Sequence, residues 1–540
     1  MAARKMDGGS GGGTRNMDRL EIQLRPGQYT HTAMLAEGAI ADAKLPVYDR
    51  GGILVHPVEM DMKDEHNNTI KSVALQPITV PLMRQFMETA ARFVVYNATT
   101  KKTCPRDPPA ETAKLILARR GFWSFPRIVG VMTAQSIDRN GNIIDQEGVH
   151  RPSQMLFHGL PKLPPMPEHP TREDALASLE ILKDLLTEFP FSDPEGKQGV
   201  SLSVALAALI SPLCRAANPR DPLFAIHAPV AGTGKSYFCR LVSAILTGRA
   251  CPVVAYAADE DEFRKRLDAA LILGSPIISL DNCNGKLSSW TLCQALTEDV
   301  IQIRPLGTSN TIDIQSRTTW LANGNGITVT EDLTRRTVLI RLDSNEERPE
   351  LREFAQHPFE RIVADRGRYV AAALTIVRAY ILAGRPGRLP PLASYEAWSA
   401  NVRSALVWLD CADPCDSMNE IIGNDPEKQL LRALFEVWPV RNVDYTTAEL
   451  IDIAMGKVDC GDKNAASELR QVIENIAPGK DGIDARKLGK FLGTHAYKVL
   501  THPATINGEA GVGKLKLLKG KLIRGNQRWI LSDRDQAQVD

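Results

Sequence analysis

Between about residues 200 and 345, short runs of consecutive apolar residues alternate with longer stretches in which apolar positions recur every three or four. The short runs suit strands buried on both faces and the longer stretches suit amphipathic helices. The section therefore predicts an α/β layer fold around a parallel sheet. Upstream, residues 19 to about 160 mix helix-like stretches (PLMRQFMETAARFVVY and PAETAKLILARRG) with strand-like pieces such as GGILVHPV, which predicts an α+β domain. The Asn-Gly of DRNGNIID, set between apolar flanks, predicts a hairpin. A proline-rich stretch, PKLPPMPEHP, predicts a stiff linker over 161–171, and Thr171 can cap the helix that follows, REDALASLEILKDLLTEF. A helical block then extends to about residue 420, and NDPEK opens a last, basic section.

Composition limits what such a chain can be. At about 100–200 residues per domain, 540 residues suffice for three or four domains. Sixty-five basic against 64 acidic side chains leave a net charge of +1, so any nucleic-acid contact must come from a local patch. The longest apolar stretch, Val200 to Cys214, is broken by serines and Pro212 and is too short to span a bilayer. The Gly/Ser-rich residues 1–18 lack an apolar segment and read as a flexible leader, not a signal peptide. Nine cysteines with no Cys-x-x-Cys pair argue for a reducing compartment, so a cytoplasmic location is expected. Cys411 and Cys415 have no histidine near them in sequence, and ordinary packing is the better reading there.

Candidate chemistry concentrates in LFAIHAPVAGTGKSYFCRLVSAILTG. Leu223 to His227 suits a buried strand, Pro229 to Gly234 a small-residue loop, and Ser236 onward a helix, which is the order a phosphate site requires. Ala231, Gly232, Thr233 and Gly234 would wrap ATP phosphates with backbone N–H groups. Lys235 would reach the β and γ phosphates and Ser236 would ligate Mg2+. Pro229 stands where the strict pattern has its first glycine. Forty-six residues past Lys235, PIISLDN supplies a strand ending in Asp281, a second magnesium candidate at the end of a neighbouring parallel strand. Asn282 occupies the place where many such ATPases carry the glutamate that activates water. Further on, IRPLGTSNTIDIQ predicts a hairpin, RTTWLANGNG a strand ending in Asn323 and Asn325, and DLTRRTVLIRLD a helix end carrying Arg335 and Arg336 before another strand. The asparagines could touch the γ-phosphate or attacking water. Paired arginines standing alone are usually a solvated surface feature, but at this position they suit a finger that reaches a neighbouring subunit's ATP.

This succession resembles the AAA+ ATPases, in particular the superfamily-3-like helicases of prophages, mobile elements and the poxvirus primase-helicase group. The segments that carry the resemblance are APVAGTGKS, EDEFRKRLDAAL, the Asp-Asn ending of the second motif, IRPLG, DLTRR, ASYEAWSANVRSALVWLDCADP and RDPPAETAKLILARRGFWSFPRIVGVMTA. The resemblance implies an AAA+ P-loop core over 172–345, a helical lid over 346–426 and an accessory or collar domain over 19–160. ATP would bind between subunits of a ring, expected to be a hexamer, with Arg335 or Arg336 acting in trans. Leu306, Thr308, Ser309 and Asn310 of the hairpin would line a pore holding single-stranded DNA. Asn325 is the better sensor candidate, and Asn282 is native to the group.

Residues 427–540 read as a winged-helix DNA-binding domain. Thr446 to Glu449 can form a capping box, KNAASELRQVIENI gives a second helix, Asp484 can cap a third, and KLKLLKGKLIRGNQRWIL suits a two-stranded wing. From Ala485 to Ile530 there are ten basic residues and one acidic, Glu509, an asymmetry that suits phosphate contacts by Arg486, Lys487, Lys490, Lys514, Lys516 and Arg524. The expected activity is an ATP-driven DNA helicase or translocase. The alternative is an ATP-controlled initiator or scaffold that binds DNA without unwinding it.

Overall fold

The computed structural model describes residues 20–63, 69–304, 311–352, 354–424, 426–458, 463–479, 482–506, 509–523 and 525–533. The chain forms two compact units, Met1–Ile327 with Arg336–Ser417, and Thr328–Arg335 with Met418–Asp540.

The centre of the first unit alternates strand and helix. In chain order it runs β1 (Leu223–Ala228), α1 (Lys235–Thr247), β2 (Val253–Ala255), α2 (Glu260–Ile272), β3 (Ile277–Asp281) and α3 (Trp290–Thr297). A hairpin of β4 (Ile301–Ile303) and β5 (Ile312–Ile314) follows, then β6 (Thr319–Asn325) and β7 (Thr337–Arg341). The sheet is parallel in the order β2-β3-β6-β1-β7. Central β1 is covered on both faces, and Leu223, Phe224, Ala225 and Ile226 expose nothing to solvent. That burial is why its sequence is an unbroken apolar run.

An ion pair anchors the two central strands at their amino ends. Arg215 Nη2 lies 3.2 Å from Asp221 Oδ2, with the side chains 1% and 0% exposed. Asp221 also accepts a hydrogen bond from Thr319 Oγ1 at 3.3 Å, and Arg215 donates to the Thr318 carbonyl. Burial pushes the Asp221 carboxyl up to about 6, while the Arg215 charge pulls it back down.

Residues 20–160 pack their own core from Ala33, Ile40, Met83, Met87, Phe93 and Ile116. PLMRQFMETAARFVVY is not one helix: the helix ends at Ala90, and Ala91–Asn97 is a strand paired with Leu20–Gln23 and Lys102–Pro105. The β-branched and aromatic residues of RFVVY favour the pleated, half-buried surface this pairing offers. The DRNGNIID turn joins two short antiparallel strands, as its Asn-Gly predicts. Arg50 docks this region on the sheet layer, with Nη1 and Nη2 donating to the Ile272 and Leu271 carbonyls at 2.6 and 2.8 Å. A buried cation thereby meets the last carbonyls of α2, where Leu271 O also accepts from Gly274 N at 3.1 Å.

Thr171 and Asp174 form the reciprocal capping box that opens Arg172–Asp184. The proline-rich stretch before it is tied to the same unit. Pro161 O accepts from Gln135 Nε2 at 2.7 Å and Pro167 O from Arg378 Nη1 at 3.3 Å. Gly367 opens α4 (Arg366–Leu382) so close to this stretch that a Cβ there would lie 1.8 Å from Lys162 O. In the helical block, Arg403 is held by Asp413 at 2.6 and 2.7 Å and by Pro390 O at 2.9 Å, which is a structural clamp.

The second unit includes α5 (Pro426–Glu436), β8 (Asp444–Thr446), α6 (Thr447–Ala454), α7 (Lys463–Ile476), α8 (Ala485–His495), β9 (Val499–Ile506), β10 (Glu509–Lys519) and β11 (Arg528–Ser532). The sheet is antiparallel in the order β8-β11-β10-β9, and its core includes Leu450, Leu488, Leu492, Leu515, Leu517 and Trp529. Thr446 with Glu449 makes the capping box of α6, and Asp484 caps α8. Among the described residues no helix is long and apolar enough to cross a membrane.

Asp221→Asn keeps the acceptor for Thr319 but leaves Arg215 buried without its counter-charge. Such a loss typically costs about 3–5 kcal/mol. The variant is expected to melt well below the wild type in a thermal scan; an unshifted transition would mean that the pair contributes nothing to the fold.

Candidate phosphate and base site

Parallel strands joined by crossover helices deliver their loops to the same end of the sheet, the carboxyl end, where ligands of such folds sit. Ala228 at the end of β1 lies opposite Asn325 at the end of β6, and β3 beside β6 ends in Asp281. The neighbours of β1 are therefore β6 and β7, and Asp281 on β3 stands one strand further out than the sequence suggests. The sheet gathers the loop, Asn325 and Asp281 along one edge.

Between β1 and α1 the chain turns through Gly232 (φ +79°) and Gly234 (φ +98°), both in the left-handed region that side chains avoid. Gly234 stands at the N-cap of α1 and contributes no capping side chain, so the helix presents its amino end as an anion site. Ala231 and Gly232 are exposed, Thr233 is buried, and the Ser236 hydroxyl is at the surface of the first turn. Lys235 is 8% exposed; its Nζ donates to Val230 O at 2.8 Å and to Thr233 Oγ1 at 3.2 Å. Burial lowers the pKa of this ammonium, and the charge of Asp281 opposes that shift. The lysine is thus partly desolvated and, with Val230 O and Thr233 Oγ1 as neutral partners, poised for an anion. Oxygen donors such as the Ser236 hydroxyl and the Asp281 carboxylate match the preference of Mg2+.

Beyond β3, Asn282 is exposed with φ +58°, a conformation that asparagine tolerates. The chain then crosses the end of β6, where Cys283 N–H donates to Asn323 O at 3.0 Å. A Cβ on Gly324 would come within 2.4 Å of Cys283 O, so only glycine permits this crossing. Asn323 is buried, its amide facing Ser279 Oγ at 3.4 Å and Cys239 Sγ at 3.8 Å. Asn325 is exposed, and its backbone N–H donates to Asn284 Oδ1 at 2.7 Å. Of the two asparagines, Asn325 is the one open to a ligand.

Beside the glycine loop lies a cavity of about 310 Å³ lined by Phe189, Pro190, Tyr237, Phe354 and Pro358, with Gly232, Thr233 and Gly234 on one wall. Phe189 and Tyr237 stack at 6.2 Å and 24°. An apolar, aromatic slot touching a phosphate loop suits a purine base. The strap that closes it is tied down: Glu188 accepts from Ala355 N and Gln356 N at 2.9 and 3.1 Å, and Tyr237 OH from Phe359 N at 3.2 Å. Sequence reasoning missed these residues because they come from three distant stretches with no shared spacing. The FPF of residues 189–191 was the one local hint.

Arg335 is exposed on the Glu331–Arg336 3-10 turn, and it pairs with Asp332 at 3.0 Å. The turn replaces the expected helix end. Arg336 is half-buried, and its charge acts on the buried Tyr395 hydroxyl. Glu262 pairs with Lys265 at 3.8 Å and with Arg266 at 3.1 Å, an ordinary helix-surface arrangement. Leu306, Thr308, Ser309 and Asn310 lie outside the described residues, as does Arg524. On α8, Arg486, Lys487 and Lys490 are exposed; on β10, Lys514 and Lys516 alternate with buried Leu515 and Leu517. Lys487 Nζ donates to Pro478 O at 2.7 Å.

No family model matches the chain, and no curated protein matches it. Solved structures do resemble it at a distance. The apo NrS-1 C-terminal region has 10% identity and a TM-score of 0.38, covering 92% of this chain and 98% of that one. JCV helicase, solved with a bound thiazolopyridine acetamide, has 13% identity and a TM-score of 0.20, covering 47% and 74%. Likenesses this distant carry no argument, and the functional reading rests on the site.

Gly232 faces a second constraint besides its φ: a Cβ there would lie 2.9 Å from Glu350 N and 3.0 Å from Glu350 Cβ. Gly232→Ala is expected to bind a fluorescent ATP analogue about tenfold more weakly, in line with the 1–3 kcal/mol typical of backbone strain. Wild-type affinity in an equilibrium titration would show that the loop has room the geometry denies.

Proposed function

We propose that this chain is a cytoplasmic ATP-driven DNA translocase or helicase with an AAA+ P-loop core, working as a hexameric ring in the replication of a prophage or mobile element.

 The observation that carries the ATP half is the uncapped amino end of α1 behind a glycine loop, with Lys235 and Asp281 electrostatically coupled beside it. The aromatic slot next to the loop supports a purine nucleotide. Lys235 and the N–H groups of α1 would hold the phosphates, Ser236 and Asp281 would hold Mg2+, and Asn325 would orient the attacking water. When bound, the metal neutralises phosphate charge. Water attacks the γ-phosphorus in line as the bond to the ADP oxygen breaks, and Arg335 or Arg336 of a neighbouring copy stabilises the charge that spreads over the transferring group. Asn282 offers no carboxylate to take the water's proton. The DNA half is supported by the hairpin of β4 and β5, whose Leu306, Thr308, Ser309 and Asn310 would contact the strand, and, on the winged-helix reading of 427–540, by exposed Arg486, Lys490 and Lys514 and by Lys516, half-buried between Leu515 and Leu517.

Lys235→Ala is expected to lower ATP turnover by about 10²-fold or more while leaving the melting temperature near that of the wild type. Turnover near the wild-type rate would reject the ATPase reading. Mixing it with an Arg335→Ala/Arg336→Ala double variant is expected to recover some activity through mixed interfaces; no recovery at any ratio would reject action in trans.

For the basic face, alanine at Arg486, Lys490 and Lys514 is expected to flatten the log–log salt dependence of duplex binding by about 0.9 per lost contact. An unchanged slope would assign these residues to a protein partner or to solvent.

A further inference from the structure

We infer that a polar cleft between residues 48–52 and the root of the β4–β5 hairpin binds single-stranded DNA, an inference that rests on the translocase reading above. The cleft holds about 640 Å³ and is lined by, among others, Arg120, Arg127, Gln154, Gln302, Asp313 and Gln315. That volume is in the range of sites that take a nucleotide-sized group. Two guanidinium groups suit phosphates, and three primary amides can both donate to and accept from base edges.

The carboxylates of the cleft are already engaged. Asp49 pairs with Arg127 at 3.4 Å and accepts from Gly52 N at 3.0 Å, and Asp313 accepts from Gln302 Nε2 at 3.3 Å. Arg127 nevertheless stays 69% exposed, so its other donors face solvent. Arg50 lies beneath, buried and directed to backbone carbonyls.

The segment Arg119 to Phe125 supplies the second observation. Arg119 pairs with Glu37 at 3.0 Å, Trp123 Nε1 donates to Ile116 O at 2.6 Å, and Phe125 is buried. Each of these three residues holds the fold together. Between them the chain makes a tight turn, Phe122 N donating to Arg119 O at 3.1 Å with Gly121 at φ +81°, and it leaves Arg120 exposed and Phe122 78% exposed. A lone exposed aromatic is unremarkable on its own. Its chain neighbours Arg120 and Gly121 line the cleft, so the exposed ring follows directly on a phosphate-binding candidate, and an aromatic platform with basic side chains is the combination that binds single strands without regard to sequence.

The cleft also touches moving machinery on the proposed reading. A Cβ on Gly51 would lie 2.6 Å from Asp313 O of β5, so the turn that forms one wall abuts the hairpin. A strand held here would be gripped at the hairpin's root.

The test uses the full chain and a fluorescein-labelled oligo-dT. Phe122→Ala is expected to weaken anisotropy-detected binding about tenfold, and Arg120→Gln to flatten the salt slope by about 0.7. Photo-crosslinking of the wild type with a 5-iodouracil-substituted oligonucleotide should label the tryptic peptide Gly121–Arg127. Wild-type affinity and slope in both variants, with cross-links only elsewhere, would overturn the cleft while leaving the translocase reading intact. Absence of single-strand binding by the wild type in every nucleotide state would overturn both.

Discussion

The candidate site depends on the buried pair of Arg215 and Asp221. It lies at the amino ends of β1 and β6, tying Asp221 to Thr319 at the start of one strand two residues before the other begins. Parallel strands have evenly spaced, slanted hydrogen bonds, and nothing in that ladder by itself chooses one register over another. A side-chain network with fixed geometry at one end does choose. With Phe224 set opposite Leu321, Ala228 arrives opposite Asn325 at the far end, and a shift of one residue would turn the whole strand over. A pair at one end of the sheet thereby places the loop and the asparagine at the other.

The amino end of α1 shows a second choice. Its neighbours α2 and α3 are capped by Asp259 and Ser289, whose oxygens accept from Glu262 N and Leu292 N. Gly234 gives α1 no such oxygen. Glycine in place of a capping side chain costs only a few tenths of a kcal/mol, and it leaves the first N–H groups of α1 open to an anion. Lys235 meanwhile spends its ammonium on Val230 O and Thr233 Oγ1, neutral partners that a phosphate would outcompete.

What the sequence disclosed followed from local rules. The glycine loop, the strand ending in Asp281, the boxes at Thr171 and Thr446 and the cap at Asp484 each depend on residues a few positions apart, and each is visible in the chain. Contacts between distant segments were not legible. Nothing local says that β6 inserts between β1 and β3, that Asn323 turns inward to Ser279, or that Phe189 meets Tyr237. The RFVVY strand was misread as helix for a related reason: its partners, Leu20–Gln23 and Lys102–Pro105, lie on either side of it in sequence, and only their pairing overrides the continuation of the preceding helix.

Residues 20–160 contribute no residue to the glycine-loop site described above, yet they meet the sheet layer at two mechanically useful points. Arg50 grips the carboxyl end of α2, and Gly51, the next residue, presses on β5. The helix precedes the strand that ends in Asp281, and β5 precedes the strand that ends in Asn325. One short turn therefore contacts the elements immediately upstream of both polar residues at the carboxyl edge of the sheet. Packed interiors have low compressibility and transmit strain, so on the ATPase reading proposed above a shift of Asp281 or Asn325 would have a direct route to this turn, and through it to the Arg120 and Arg127 wall of the cleft.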